Sequence, residues 1–152
     1  MDVSNFADDL LQAIAEKNAP VCVGLDPDWD RLPERLRRTF DAPDEVERTS
    51  GIQEFCCGVI DAVAEFVPAI KIQSAYFERY GSTGLEVYER LIDYARDRDL
   101  VVIGDVKRGD IGSTAAAYAA GHLRGLDSPY GYSGGVADAI TVNGYFGTDG
   151  IG

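Results

Sequence analysis

Hydrophobic and polar positions along the chain change period in a regular way. Phe6, Leu10, Leu11 and Ile14 recur at helical spacing and predict an opening helix over 5–17. Residues 21–25 are then a short apolar run between Pro20 and Pro27, the pattern of a buried strand. The polar stretch 28–44 reads as a loop with a short helix. Ile52, Phe55, Val59, Ile60 and Val63 define the apolar face of a helix over 51–66. A second strand is predicted at 69–72. A third helix follows at 83–98, with Leu85, Tyr88, Leu91, Ile92 and Ala95 on its inner side. The third strand is 100–104, and 111–123 is an Ala-rich helix. Residues 125–135 are turn-rich, 137–142 form a fourth strand, and 144–152 carry four glycines and no regular signal.

Strand and helix therefore alternate, with a helix after each of the first three strands. The strand ends fall at Asp26, Lys71, Asp105 and Asn143, each separated by the roughly 30 or more residues that a βαβ unit needs. Such alternation predicts an α/β fold with a parallel sheet. It also predicts where a ligand goes: the carboxyl ends of the strands.

Composition narrows the partners. Of 152 residues, 14 are basic and 26 acidic, a formal net charge of −12 that argues against nucleic acid as a ligand. Hydrophobic residues make up 45%, the balance of a globular domain, and no apolar run approaches the roughly 20 residues needed to span a bilayer. Residues 1–17 are acidic and amphipathic, unlike a secretory leader, so a cytoplasmic protein is expected. Cys22, Cys56 and Cys57 show no C-x-x-C spacing and read as reduced, mostly buried thiols. A single His122 argues against His-based zinc sites and a Ser-His-Asp triad.

Charge at the strand ends changes the picture most. The chain holds 11 Arg but only three Lys, and two of those, Lys71 and Lys107, stand at the same mouth of the sheet as the strand-end acids Asp26 and Asp105. Residues two apart in an extended segment share a face, so Asp105 and Lys107 face the same way if the strand continues that far. Asp110 follows in the turn before a helix. Lysine, unlike arginine, can release and regain a proton, and neighbouring carboxylates hold it charged. A carboxylate–lysine–carboxylate array suits proton delivery to carbon and repulsion of a substrate carboxylate. Gly81–Gly84 reads instead as a capped helix entry, and Tyr76, Phe77 and Tyr80 as packing.

Residues 105–114, Asp-Val-Lys-Arg-Gly-Asp-Ile-Gly-Ser-Thr, resemble the D-x-K-R-G-D-I-x-x-T signature of orotidine 5′-phosphate decarboxylases. The resemblance extends to residues 24–27, to Lys71 with 73–78, and to 137–143. It implies a (β/α)₈ barrel of the TIM type, of which the chain carries about four βα units. Residues 1–152 are then the N-terminal half of one decarboxylase domain. It implies a lyase with no cofactor and no metal that converts orotidine 5′-phosphate to UMP and CO₂. By the resemblance Lys107 protonates C6 of the pyrimidine, and Asp105 faces the departing carboxylate and orients Lys107. Lys71 bridges ribose and carboxylate network, and Asp26 binds a ribose hydroxyl. Asp110 and Thr114 reach the neighbouring subunit's site in a homodimer, and Asn143 is a further substrate contact. Gly144 stands where the family has Pro, and the phosphate-gripping arginine is expected in a second half. Two alternatives stay open: an inactive half-barrel, and a magnesium-dependent sugar-phosphate decarboxylase, whose relatives carry an acid where this chain has Lys71.

Overall fold

The computed structural model describes residues 5–40, 44–123 and 134–148. Helix α1 (Phe6–Lys17) opens on Asn5, whose side chain accepts from the Asp8 backbone N–H, and ends on Asn18 in the left-handed region. Strand β1 (Cys22–Leu25) leads through a 3₁₀ turn at Trp29–Arg31 into α2 (Glu34–Thr39) and α3 (Glu45–Val63). Strand β2 (Ala69–Gln73) is followed by one turn of helix, α4 (Ala75–Glu78), and by α5 (Gly81–Arg96). Strand β3 (Val101–Arg108), α6 (Gly112–His122), β4 (Ala139–Val142) and a 3₁₀ turn at Gly144–Phe146 complete the described chain. The turn-rich stretch 125–135 lies outside the described residues except for Gly134 and Gly135.

The four strands form one parallel sheet in the order β1-β2-β3-β4. Gly24 pairs with Lys71, Lys71 with Ile103, and Gln73 with Asp105, so the register brings the charged strand ends to one level. One sheet face is covered by α3 and α5. Ile52, Ile60, Ile70, Ile72, Leu91, Ile92 and Val102 are there almost completely removed from water. The first turns of the sheet's other face pack against α1, where Ala13, Ala69 and Val101 join Phe6 and Leu10. Above that plug the inner face is open, and it carries Lys71, Asp105 and Lys107.

Three of the element boundaries that differ from the sequence pattern bear on the packing and the site. Helix α3 starts at Glu45, not at 51, because Asp44 caps it by accepting from the Val46 N–H and two glutamates occupy its first turn. Gly51 is therefore interior. A Cβ there would lie 2.8 Å from the Trp29 ring, so the missing side chain is what lets the indole seat against the helix. Helix α5 starts at Gly81 with no side-chain cap, in place of the expected capped entry at 81–84. Strand β3 continues through Arg108, three residues past the Asp105 at which the apolar run stops.

That extension is irregular. From Gly104 to Arg108 β3 advances four residues while its partner β4 advances only two, from Ile140 to Val142. The surplus is a bulge, and Lys107 within it has φ +46°, unusual for a residue with a side chain. Bulges of this kind re-aim a side chain at the rim of a barrel.

Candidate active site

Asp105 is the centre of the site. It is 6% exposed, and its carboxylate accepts four hydrogen bonds. Oδ2 accepts from Lys71 Nζ at 2.6 Å and from Gln73 Nε2 at 2.8 Å. Oδ1 accepts from Lys107 Nζ at 2.6 Å and from Thr141 Oγ1 at 2.8 Å. Period-two alternation sets Lys71 and Gln73 on one face of β2 with Asp105 opposite on β3, and the bulge carries the Lys107 ammonium back onto the same carboxylate. Burial by itself would raise the Asp105 carboxyl. The hydrogen bonds from Lys107, Lys71 and Thr141 and the Lys71 charge outweigh it and hold the group well below the usual carboxylate range.

The two lysines differ in freedom. Lys71 is about one-third exposed, whereas the Lys107 side chain is 65% exposed and borders a shallow cleft with Gln73, Ala75, Tyr76 and Arg79. Lys107 is thus anchored at its tip by Asp105 and open on its flank to an incoming molecule. Asp26 lies just beyond β1, exposed, with one carboxylate oxygen over Gly24, where a Cβ would sit 3.0 Å away. It makes no hydrogen bond or ion pair among the described residues.

The end of β3 is fastened from behind. Arg108 donates to Glu78 Oε1 of α4 at 2.9 Å and to the Val106 carbonyl at 2.9 Å, and stands over the Tyr118 ring of α6. Burial would raise the Glu78 carboxyl, but the bonds from Arg108 and Ser74 bring it below its usual range. This pair holds the backbone that carries Lys107 without entering the site.

Asp110, Thr114 and Asn143 are not drawn into the Asp105 cluster. Asp110 is half-buried, and its Oδ1 accepts from the Ile111 N–H. It borders an apolar groove with Arg108, Tyr118, Ile140 and Val142. Thr114 is exposed on α6, a helix with no buried residue. The Asn143 side-chain oxygen accepts from the Tyr145 N–H and caps the turn after β4, a role that its place at a strand end does not reveal. Gln73 and Thr141 are members of the cluster that spacing within one strand does not single out. Only the inter-strand register places them beside Asp105. Cys56 is buried as expected, whereas Cys22 is exposed at the start of β1.

Another cleft, of about 730 Å³, lies at the opposite, amino ends of the strands. Asp9, Glu16, Asp93, Asp97 and Asp99 line it, and that negative wall is unsuited to an anionic nucleotide. Among the described residues no group of three or more His, Cys, Asp or Glu is placed to hold a metal ion, and no helix is long and apolar enough to cross a membrane.

A parallel sheet of βα units with paired lysines and a buried carboxylate at its carboxyl end defines a barrel-type α/β protein, here four strands of the eight. The chain belongs to the orotidine 5′-phosphate decarboxylase / HUMPS family, which it matches over residues 19–151. It is 40% identical over 149 residues to the orotidine 5′-phosphate decarboxylase of Rhodopirellula baltica, covering 96% of this chain and 48% of that protein. The orotidine 5′-phosphate decarboxylase of a Nocardioides species is 41% identical over 142 residues, covering 93% and 46%. Among solved structures, the OMP decarboxylase of Leishmania donovani superposes with a TM-score of 0.71 at 28% identity, covering 97% of this chain and 48% of that one. The chain spans about half the length of the curated relatives it matches.

Proposed function

We propose that the protein carrying this segment is an orotidine 5′-phosphate decarboxylase, and that residues 1–152 supply the N-terminal half of its single barrel domain. The observation that carries the reading is the buried Asp105 carboxylate held between Lys71 and Lys107 at 2.6 Å each, at the carboxyl ends of parallel strands. Lys71 also separates this reading from the metal-dependent sugar-phosphate one, which needs an acid at that position.

The chemistry follows from the charges. Substrate enters with its carboxylate toward Asp105, and the two negative groups repel. The bond between C6 and the carboxylate breaks, CO₂ leaves, and the electron pair remains on C6. The Lys107 ammonium gives its proton to C6, forming UMP, and regains one from water. Asp105 cannot relieve the repulsion by taking up a proton, because its hydrogen bonds keep it ionised. Catalysis of this kind is electrostatic preorganisation, in which the charges are fixed before the substrate arrives. Lys71 holds Asp105 and reaches the ribose, and Asp26, which makes no hydrogen bond or ion pair among the described residues, takes a ribose hydroxyl.

Asp110 and Thr114, which stand apart from the cluster before and within the first turn of α6, serve the site of a second subunit in a homodimer. Asn143 contributes its backbone and cap to the rim beside the substrate. Three free thiols and a strongly acidic surface fit a cytoplasmic protein. The test is conversion of orotidine 5′-phosphate to UMP by the protein expressed from its complete gene. Wild-type turnover supports the reading. A wild-type protein that binds but does not decarboxylate the nucleotide contradicts it.

A further inference from the structure

Among the described residues, Thr141 of β4 is the side chain whose hydrogen bonds reach both members of the Asp105–Lys107 pair. Its hydroxyl donates to Asp105 Oδ1 at 2.8 Å and accepts from the Lys107 backbone N–H at 3.0 Å. The second bond falls inside the β3 bulge, where the register with β4 shifts, and gives the Lys107 N–H a side-chain acceptor. It also falls on the residue with φ +46°, a conformation that persists only where its surroundings over-determine it. Asp105 Oδ1, in turn, is the oxygen that Lys107 Nζ grips at 2.6 Å. Lys107 is therefore held at two points, backbone and ammonium, and Thr141 takes part in both.

We propose that Thr141 is a positioning residue for Lys107: its hydroxyl fixes the bulged backbone and the acceptor oxygen together, and so aims the ammonium group. The proposal rests on the decarboxylase reading for its kinetic consequence but not for its geometry. A hydroxyl is required because the position needs one donor and one acceptor on the same atom, which valine lacks and serine retains. Valine keeps the β-branched shape and the strand preference of threonine, so it removes the two bonds with little change of volume. The effect belongs to the reacting geometry and not to substrate affinity, because Thr141 acts through Lys107 and Asp105. Misplacement of a catalytic group lowers the rate of the chemical step.

The experiment compares wild type, Thr141→Val and Thr141→Ser in the protein expressed from its complete gene. Thr141→Val should lower kcat by about 30-fold, a barrier increase of ~2 kcal/mol, with KM and the Kd for UMP within about threefold of wild type. Thr141→Ser should stay within about threefold of wild type in kcat. Equal losses in both variants, or no loss in Thr141→Val, overturn the proposal. A second measurement does not depend on activity or on the variants folding: amide hydrogen exchange in the wild-type protein. The Lys107 N–H should be protected despite the register shift, and exchange at the rate of an open amide contradicts the assignment. If wild type makes no UMP, the decarboxylase reading fails alone, and Lys107 exchange still decides whether Thr141 holds this backbone.

Discussion

Lys71 and Lys107 grip opposite oxygens of one carboxylate, each at 2.6 Å. They come from adjacent parallel strands, and the Gln73–Asp105 register is what sets them on either side of Asp105. Without Asp105 the arrangement would leave two ammonium groups facing one point with no counter-charge between them. The carboxylate is thus structural and electrostatic at once, and its ionisation is built into the fold.

That coupling sets a pH dependence. The Asp105 carboxyl lies below its unfolded value of about 4, so its contribution to stability is full above that pH. The contribution is lost as pH falls from about 4 downward, because the unfolded chain takes up the proton first. Urea unfolding of wild type and Asp105→Asn should show the largest stability gap near neutral pH and a shrinking gap below about pH 4. A gap that stays constant into acid contradicts the assignment of Asp105 as the ionised centre.

Asp110 and Lys107, on the proposed dimer, serve different sites. Asp110→Ala and Lys107→Ala proteins should each be inactive, and mixing them should restore about a quarter of wild-type activity at equal amounts once subunits exchange. In each hybrid dimer one site holds both wild-type groups. No recovery, with exchange verified by mass, argues that Asp110 acts within its own subunit.

Two helical glycines have opposite consequences. A Cβ on Gly84 would lie 2.0 Å from the Phe77 carbonyl oxygen, so α5 can approach α4 only because that atom is missing. Gly58 in α3 has nothing within 4 Å of its Cβ position. Gly84→Ala should destabilise by ~3 kcal/mol, and Gly58→Ala should stabilise by about 1 kcal/mol through helix propensity. Denaturant midpoints check both, and similar effects at the two positions would show that the close approach at Gly84 is not real.

Much of this layout is legible in the sequence, for identifiable reasons. The apolar runs at β1, β2 and β3 end abruptly in charge, which marks both the strands and the rim where the site forms. Period-two alternation anticipates Asp105 and Lys107 on one face, although it is a bulge and not regular strand that brings Lys107 there. The same signal misjudges where β3 ends, because inward-facing Asp105 and Lys107 interrupt its hydrophobicity although the backbone stays paired to Arg108. Residues 45–50 are hidden for a related reason: that first stretch of α3 is mostly polar and exposed, and only the Asp44 cap announces it. Thr141 and Gln73 are ordinary strand residues until register sets them against Asp105. The Asn143 cap depends on the turn after β4, which no spacing rule predicts.

On the proposed function, Lys107 delivers a proton to carbon from a pre-charged array. The most direct test of that step is the initial rate of UMP formation from orotidine 5′-phosphate by wild type and Lys107→Ala, each expressed from the complete gene. Because the Lys107 side chain is 65% exposed, its removal should leave the far-ultraviolet circular dichroism unchanged. Wild type should turn over the nucleotide, and the variant should show less than about a tenth of wild-type kcat, a barrier rise above ~1.4 kcal/mol. A folded Lys107→Ala protein that keeps more than that tenth contradicts this role of Lys107.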